Sequence, residues 1–238
     1  MKFLYQENPM NRLLCIVLAL SVIGAAGAAA NDFNYPDPER WAGDLKAFDQ
    51  WDAKNAVPGN AVLFVGSSSI RLWKTAEFFP GLPVINRGFG GSWMADSVHF
   101  VDRLVLRYRP AVVIVYAGDN DIAGGLPPEA VNKDFIALAD AIHKTLPATQ
   151  IICLPAKPSP SRWNVWPQMK EANRLNREYA ETVDSITYVD LAAVLLDSEG
   201  KPDPSLYESD RLHLNDKGYA KWTARLAPVL KEKYNPAD

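Results

Sequence analysis

The chain has 238 residues and a formal net charge of −3, a length that fits one ordinary domain with at most a small extension. Hydrophobic residues make up 48% and charged residues 22%, which describes a globular chain and excludes disorder as its general state. The slight acidity lacks the basic footprint that nucleic-acid binding needs.

The first thirty residues stand apart. Lys2 and Arg12 precede an uncharged run over 13–30 that is Leu-rich first and rich in Ala and Gly at its end. A basic start, an apolar middle and small residues before a polar stretch describe a secretory signal peptide. Cleavage after Ala28 or Ala30 suits that end and leaves 31–238 as a single domain, secreted or periplasmic. The alternative is an uncleaved membrane anchor, for which the run is barely long enough. Removing the segment takes away Lys2, Arg12 and Glu7, so the mature chain carries −4. Cys15 leaves with it. Cys153, in "QIICLP", then has no partner for a disulfide within the chain and reads as a small buried hydrophobe.

From there, short apolar runs alternate with amphipathic stretches. The first run, "AVLFVG" (61–66), predicts a strand buried on both faces. "GSSSIRLW" follows, with Gly66 allowing a tight turn and a helix expected to open at about Ile70. A serine on such a turn exposes its hydroxyl and has an N–H near a helix N-terminus, suited to a developing oxyanion. The same serines also read as helix caps. The second strand, "PVINRG" (83–88), leads into "NRGFGGSW", where Gly88, Gly90 and Gly91 let backbone approach a ligand or simply form a turn. Met94, Val98, Val101, Val105 and Tyr108 then follow helical spacing.

The third strand, "AVVIVYAG" (111–118), runs into "AGDNDI", where Asn120 offers a side-chain amide or an Asx turn. A helix over Val131, Phe135, Leu138, Ile142 and Leu146 precedes the fourth strand, "TQIICLP" (149–155). "AKPSPSRWNVWP" (156–167) reads as a loop. A helix over Met169, Ala172, Leu175, Tyr179 and Val183 leads to the fifth strand, "SITYVD" (185–190). Last come "DRLHLNDKGY" (210–219) and a helix over Tyr219, Trp222, Leu226 and Leu230, which Pro228 is expected to bend or end.

Strands alternating with helices imply right-handed crossovers and a parallel sheet covered on both faces. Sites in such sheets lie at the carboxyl ends of the strands. Serine, glycine and asparagine follow three successive strands there. His213 has Asp210 three residues before it, able to hold the imidazole in one tautomer and stabilise its cation. His99 and His143 fall inside helical patterns without such a partner and read as structural or exposed. A nucleophile, three oxyanion donors and an oriented base can therefore converge, which is a complete set for acyl transfer.

On these blocks the chain resembles the SGNH hydrolase family, also called GDSL-type esterases and lipases. "FVGSSSI", "NRGFGGS", "AGDND" and "DRLHLNDKGY" match its four blocks in order and span 64–219. The resemblance implies a three-layer α/β/α, flavodoxin-like fold with a five-stranded parallel sheet, and no cofactor or metal. It places the nucleophile on Ser68 and the acid and base on Asp210 and His213. The oxyanion donors fall on the Ser68 and Gly91 N–H groups and the Asn120 amide. One departure is that Ser67 stands where the family has aspartate. The register from Phe64, Gly66 and Trp73 favours Ser68, with Ser67 and Ser69 as alternatives.

The expected activity is a secreted serine esterase acting through an acyl-enzyme on short-chain acyl, O-acetyl carbohydrate or lysophospholipid esters. Trp163 and Trp166 are candidates to touch substrate, with packing of their loop as the alternative. Trp73 and Trp93 read as packing residues. Small-molecule, carbohydrate or lipid esters are the expected partners, with no nucleic acid and no lasting membrane insertion. Oligomeric state has no sequence signal. Two rival readings remain. One is a non-catalytic ligand-binding domain on the same fold. The other is a metal-dependent phosphoesterase using Asp119, Asp121, Asp210 and His213.

Overall fold

A computed structural model describes residues 33–234 of the chain. The expected signal peptide, its cleavage site and Cys15 lie outside the described residues. The five apolar runs form five strands: β1 Val62–Gly66, β2 Val84–Gly88, β3 Val112–Tyr116, β4 Gln150–Cys153 and β5 Ile186–Tyr188. Each is shorter than its run, because the flanking residues already turn away from the ladder. All pairings are parallel, in the order β2-β1-β3-β4-β5. The chain leaves β1 toward one edge and β3 toward the other, so a crevice opens between their carboxyl ends. Ligands bind at such a switch point in open α/β sheets.

The helices are α1 Ala42–Asp52, α2 Ser68–Arg71, α3 Thr75–Phe78, α4 Met94–His99, α5 Val101–Leu104, α6 Asp119–Ala123, α7 Pro128–Thr145, α8 Trp166–Ala180 and α9 Asp216–Lys233. Strand side chains alternate between two cores, as the pleat requires. Leu63, Val65, Val113, Val115 and Ile151 face one layer, where Leu45 of α1, Met94 of α4 and Phe135, Leu138 and Ile142 of α7 pack against them. Val62, Phe64, Val112, Ile114 and Ile152 face the other, where Trp222, Leu226 and Leu230 of α9 meet Trp73 and Phe79. Leu226 and Leu230 are fully buried, each contributing about 2 kcal/mol relative to exposure. The fold is three-layered, α/β/α. Among the described residues no helix is long and apolar enough to cross a membrane.

Three local expectations change. The single helix read over 94–108 is broken into α4, α5 and a 3-10 turn at Leu106–Tyr108. Phe100 and Val105 leave helical geometry at the two breaks. Three β-branched valines in eight positions weaken helix propagation there. The loop at 156–167 contains a 3-10 turn, Pro160–Val165, and α8 begins at Trp166. Val183 lies beyond the end of α8 but packs against the same core. Pro228 does not end α9, which continues to Lys233. Pro228 and Ala224, whose carbonyl loses its partner, are both exposed, so water can take the freed carbonyl.

Candidate active site

Gly66 ends β1 with φ +136°, and a Cβ there would lie 1.7 Å from the Tyr116 carbonyl oxygen. Only glycine lets β1 and β3 meet so closely at the point where the chain turns. The Ser67 N–H donates to that same carbonyl at 3.0 Å. Ser67 is extended and fully buried, and its side chain makes no cap hydrogen bond. The capping alternative for the serines is thus not how this helix starts. α2 opens at Ser68, two residues earlier than expected, so the Ser68 N–H is a first-turn donor with no intrahelical partner. Ser69 is buried, and its carbonyl accepts the Tyr219 hydroxyl at 3.0 Å. Ser68 Oγ lies 2.9 Å from His213 Nε2.

His213 arrives on the turn before α9. Asp210 Oδ1 accepts the N–H groups of Leu212 and His213, each at 2.9 Å, and Oδ2 lies 2.6 Å from His213 Nδ1. Its slight burial works against the charge. The two N–H groups and the imidazole outweigh that, lowering the carboxyl to about 2. Three other residues of "DRLHLNDKGY" are structural. Asn215 caps α9 by accepting from Lys217 and Gly218 N–H groups. A Cβ at Gly218 would lie 2.5 Å from the Leu206 carbonyl oxygen. Tyr219 ties α9 to the serine turn through Ser69.

Gly91 follows β2 with φ +84° and is exposed. Its N–H meets no protein acceptor among the described residues. Asn120 stands in the first turn of α6. Its Nδ2 donates to the Ser92 carbonyl at 3.0 Å, and its Oδ1 accepts from Arg162 Nη2 at 2.9 Å. The amide has two N–H groups, so one remains for a ligand. Asp121 holds the two loops together: it accepts the Met94 N–H at 2.8 Å and the Gly118 N–H at 3.1 Å. Burial raises its carboxyl to about 7. Ser68, Asn120 and His213 thus come from three separate segments, and Asn120 is tied directly to the segment carrying Gly91.

Asp119 points into the protein, where Lys157 and Arg162 meet its Oδ2 at 3.1 and 3.2 Å. Burial alone would raise its carboxyl, but the two cations outweigh burial and hold it below its ordinary value. Asp119 and Asp121 are therefore engaged by cations and backbone N–H groups. No group of three or more His, Cys, Asp or Glu able to hold a metal occurs among the described residues. The sequence reading missed Lys157 and Arg162. Their only signal was position, in the loop that follows the fourth strand at the carboxyl end.

Trp163 and Trp166 stack on each other at 6.0 Å between centroids. Trp163 is 36% exposed, while Trp166 is buried and lines a groove with Lys170, Asn173 and Tyr188. Trp73 is buried among Phe64, Phe79, Tyr219 and Trp222, and Trp93 meets Tyr35 edge-on. His99 is exposed against Phe100, and His143 Nε2 bonds the Thr149 carbonyl. Cys153 is buried in β4, and burial pushes its thiol up.

The sequence pattern of the GDSL-like Lipase/Acylhydrolase family matches residues 69–221. No curated protein matches the chain. Several solved structures share its fold. A Bacteroides fragilis protein described as a putative acylhydrolase is 22% identical, with 84% of this chain and 100% of that chain covered at a TM-score of 0.72. A GDSL-like lipase of Bacteroides thetaiotaomicron is 22% identical over 79% and 97%, with a TM-score of 0.66. An acetyl-xylooligosaccharide esterase of Geobacillus is 15% identical over 77% and 98%, with a TM-score of 0.59. At such identities the structures speak for the fold, while the family match speaks for the chemistry. The match covers well over half of the chain, which therefore belongs to the GDSL-like lipase/acylhydrolase family and is a carboxylic ester hydrolase.

Proposed function

We propose that the protein is a serine esterase in which Ser68 is the nucleophile, His213 the general base and Asp210 the group that orients it. The observation that carries this reading is the unbroken path Ser68 Oγ–His213 Nε2 at 2.9 Å and His213 Nδ1–Asp210 Oδ2 at 2.6 Å. Serine and histidine are 145 residues apart in the chain, so the contact is not a by-product of local geometry. His213 takes the Ser68 proton as Oγ attacks the ester carbonyl. The tetrahedral oxyanion is held by the Ser68 and Gly91 N–H groups and the free Asn120 N–H, each contributing roughly 3 kcal/mol in the transition state. His213 then returns the proton to the leaving alcohol. It next activates water to hydrolyse the acyl-enzyme, a cycle that needs neither metal nor cofactor.

Among short-chain acyl, O-acetyl carbohydrate and lysophospholipid esters, the acetylated carbohydrate is the substrate class that suits an exposed aromatic face beside the site. The half-open Trp163 ring, braced by Trp166, offers a stacking face that a sugar would use. Residues 1–30 serve as the signal peptide of a secreted or periplasmic domain over 31–238. N-terminal sequencing of the exported protein checks this part, and an intact Met1 on that protein would refute it.

A fluorophosphonate probe, with the adduct mapped by mass spectrometry, tests the centre of the proposal. The expected adduct is on Ser68. A folded protein that hydrolyses p-nitrophenyl acetate but carries its adduct on another residue, or none, overturns the assignment.

A further inference from the structure

The loop between β4 and α8 carries two cations that the reaction above does not use. Lys157 is 1% exposed, with Nζ 3.1 Å from Asp119 Oδ2 and 3.4 Å from the Tyr116 hydroxyl. Arg162 places Nη1 3.2 Å from the same carboxylate oxygen and donates from Nη2 to Asn120 Oδ1 at 2.9 Å. Two cations thus clasp one buried carboxylate, and one of them also grips the neighbouring amide. The same loop is anchored on the histidine side. The Ser161 N–H donates to the Arg211 carbonyl at 3.1 Å, and the Tyr207 hydroxyl donates to the Pro158 carbonyl at 2.7 Å.

An unrestrained carboxamide turns freely between two faces, because its terminal torsion is broad and roughly two-fold. Here a flip would set Nδ2 against the guanidinium and Oδ1 against the Ser92 carbonyl, which replaces two attractions with two repulsions. The flip is closed off, and the one unclaimed amide N–H keeps a fixed direction. A cation on the amide oxygen also draws electron density from the nitrogen, which makes that N–H a stronger donor. We propose that Arg162 is a positioning residue for ester hydrolysis: it orients and polarises the Asn120 amide as an oxyanion donor, while Asp119, itself paired with Lys157, holds its guanidinium in place. This inference rests on the serine-esterase reading.

A double-mutant cycle between Arg162→Met and Asn120→Ala tests it, with kcat and KM measured on p-nitrophenyl acetate. Losing an oxyanion donor outright costs about 10²–10³ in kcat, so losing its orienting partner should cost about 10- to 100-fold. KM should stay within about threefold, since the donor acts in the transition state. In the Asn120→Ala background the same substitution should change kcat by no more than about twofold, because nothing is left to orient. Equal losses in both backgrounds overturn the inference, as does a kcat of Arg162→Met within twofold of the parent or a loss carried by KM alone. If Arg162→Met does not fold, Arg162→Lys takes its place in the cycle under the same criteria, with a smaller loss expected. Ser68→Ala and adduct mapping on the parent separate the two failures. An active Ser68→Ala protein sinks the esterase reading itself. A Ser68-dependent enzyme indifferent to Arg162 sinks only this inference.

Discussion

Two loops at the carboxyl end of the sheet reach the same place by opposite means. The turn before α9 is local: Asp210 and His213 are three residues apart, and the carboxylate is fixed by N–H groups of its own turn. Its side chains stay open, 47% exposed for Asp210 and 24% for His213. The loop before α8 is non-local. Lys157 and Arg162 find their partners 38 and 42 residues away, and the Lys157–Asp119 pair is almost wholly buried. The comparison teaches a division of labour. The proposed base and its orienter are held by short-range bonds that survive exposure. The Lys157–Asp119 pair that braces the other loop is buried, where breaking a charge pair is costly.

That division predicts different failures for the two sides. The largest effect should come from Ser68→Ala, with kcat falling about 10⁵-fold or more and a melting temperature within a degree or two of the parent. A cold but folded enzyme is the required outcome, and substantial turnover would break the comparison at its root. Asp210→Asn should follow with a loss of roughly 10³-fold. The new amide keeps its oxygen on the Leu212 and His213 N–H groups, turns its NH2 toward His213 Nδ1, which selects the wrong tautomer, and offers the imidazolium no charge, while water can partly serve so exposed a position. Circular dichroism should show no change in fold, and a large stability loss would mean that the turn is braced after all.

Lys157→Met should do the reverse. It leaves Asp119 with Arg162 as its sole cation and should cost about 3 kcal/mol in denaturant unfolding, with kcat falling less than for Asp210→Asn. An unchanged unfolding midpoint would show that the buried pair contributes nothing. The smallest effect concerns Asp121, whose carboxyl burial raises to about 7. An unfolded chain gives up that proton near pH 4. Between about pH 4 and 7 the folded protein therefore holds a proton that the unfolded chain has lost. Stability from this group is full below that window and declines as pH rises through about 7. Melting temperatures from pH 5 to 8 should fall less steeply in Asp121→Asn than in the parent. Parallel slopes would rule out this account.

Legibility followed the range of the interactions. The five strands were readable because strands buried on both faces leave continuous β-branched runs, as in "AVVIVY". Helices α7 and α9 were readable from one apolar stripe each. The stretch 94–108 misled because its spacing carries the helical period, while its backbone breaks at Phe100 and Val105. Around the site, Asp210 and His213 stand in one short motif, and the serine and glycine turns mark themselves by composition. Lys157 and Arg162 left no such trace, since a lysine and an arginine in a Pro/Ser-rich loop look the same whether they face solvent or a carboxylate.

The sequence by itself determined the layered architecture, the end of the sheet that carries polar turns and the residue types gathered there. Period and composition are local properties, and parallel crossovers leave few ways to arrange them. Only the tertiary structure decided that Ser68 is the serine beside His213, that Asp119 turns inward, and that Arg162 grips Asn120. Those outcomes depend on distances between segments far apart in the chain. They are set by how closely Gly66 lets β1 approach β3 and by where a buried carboxylate can find its cations.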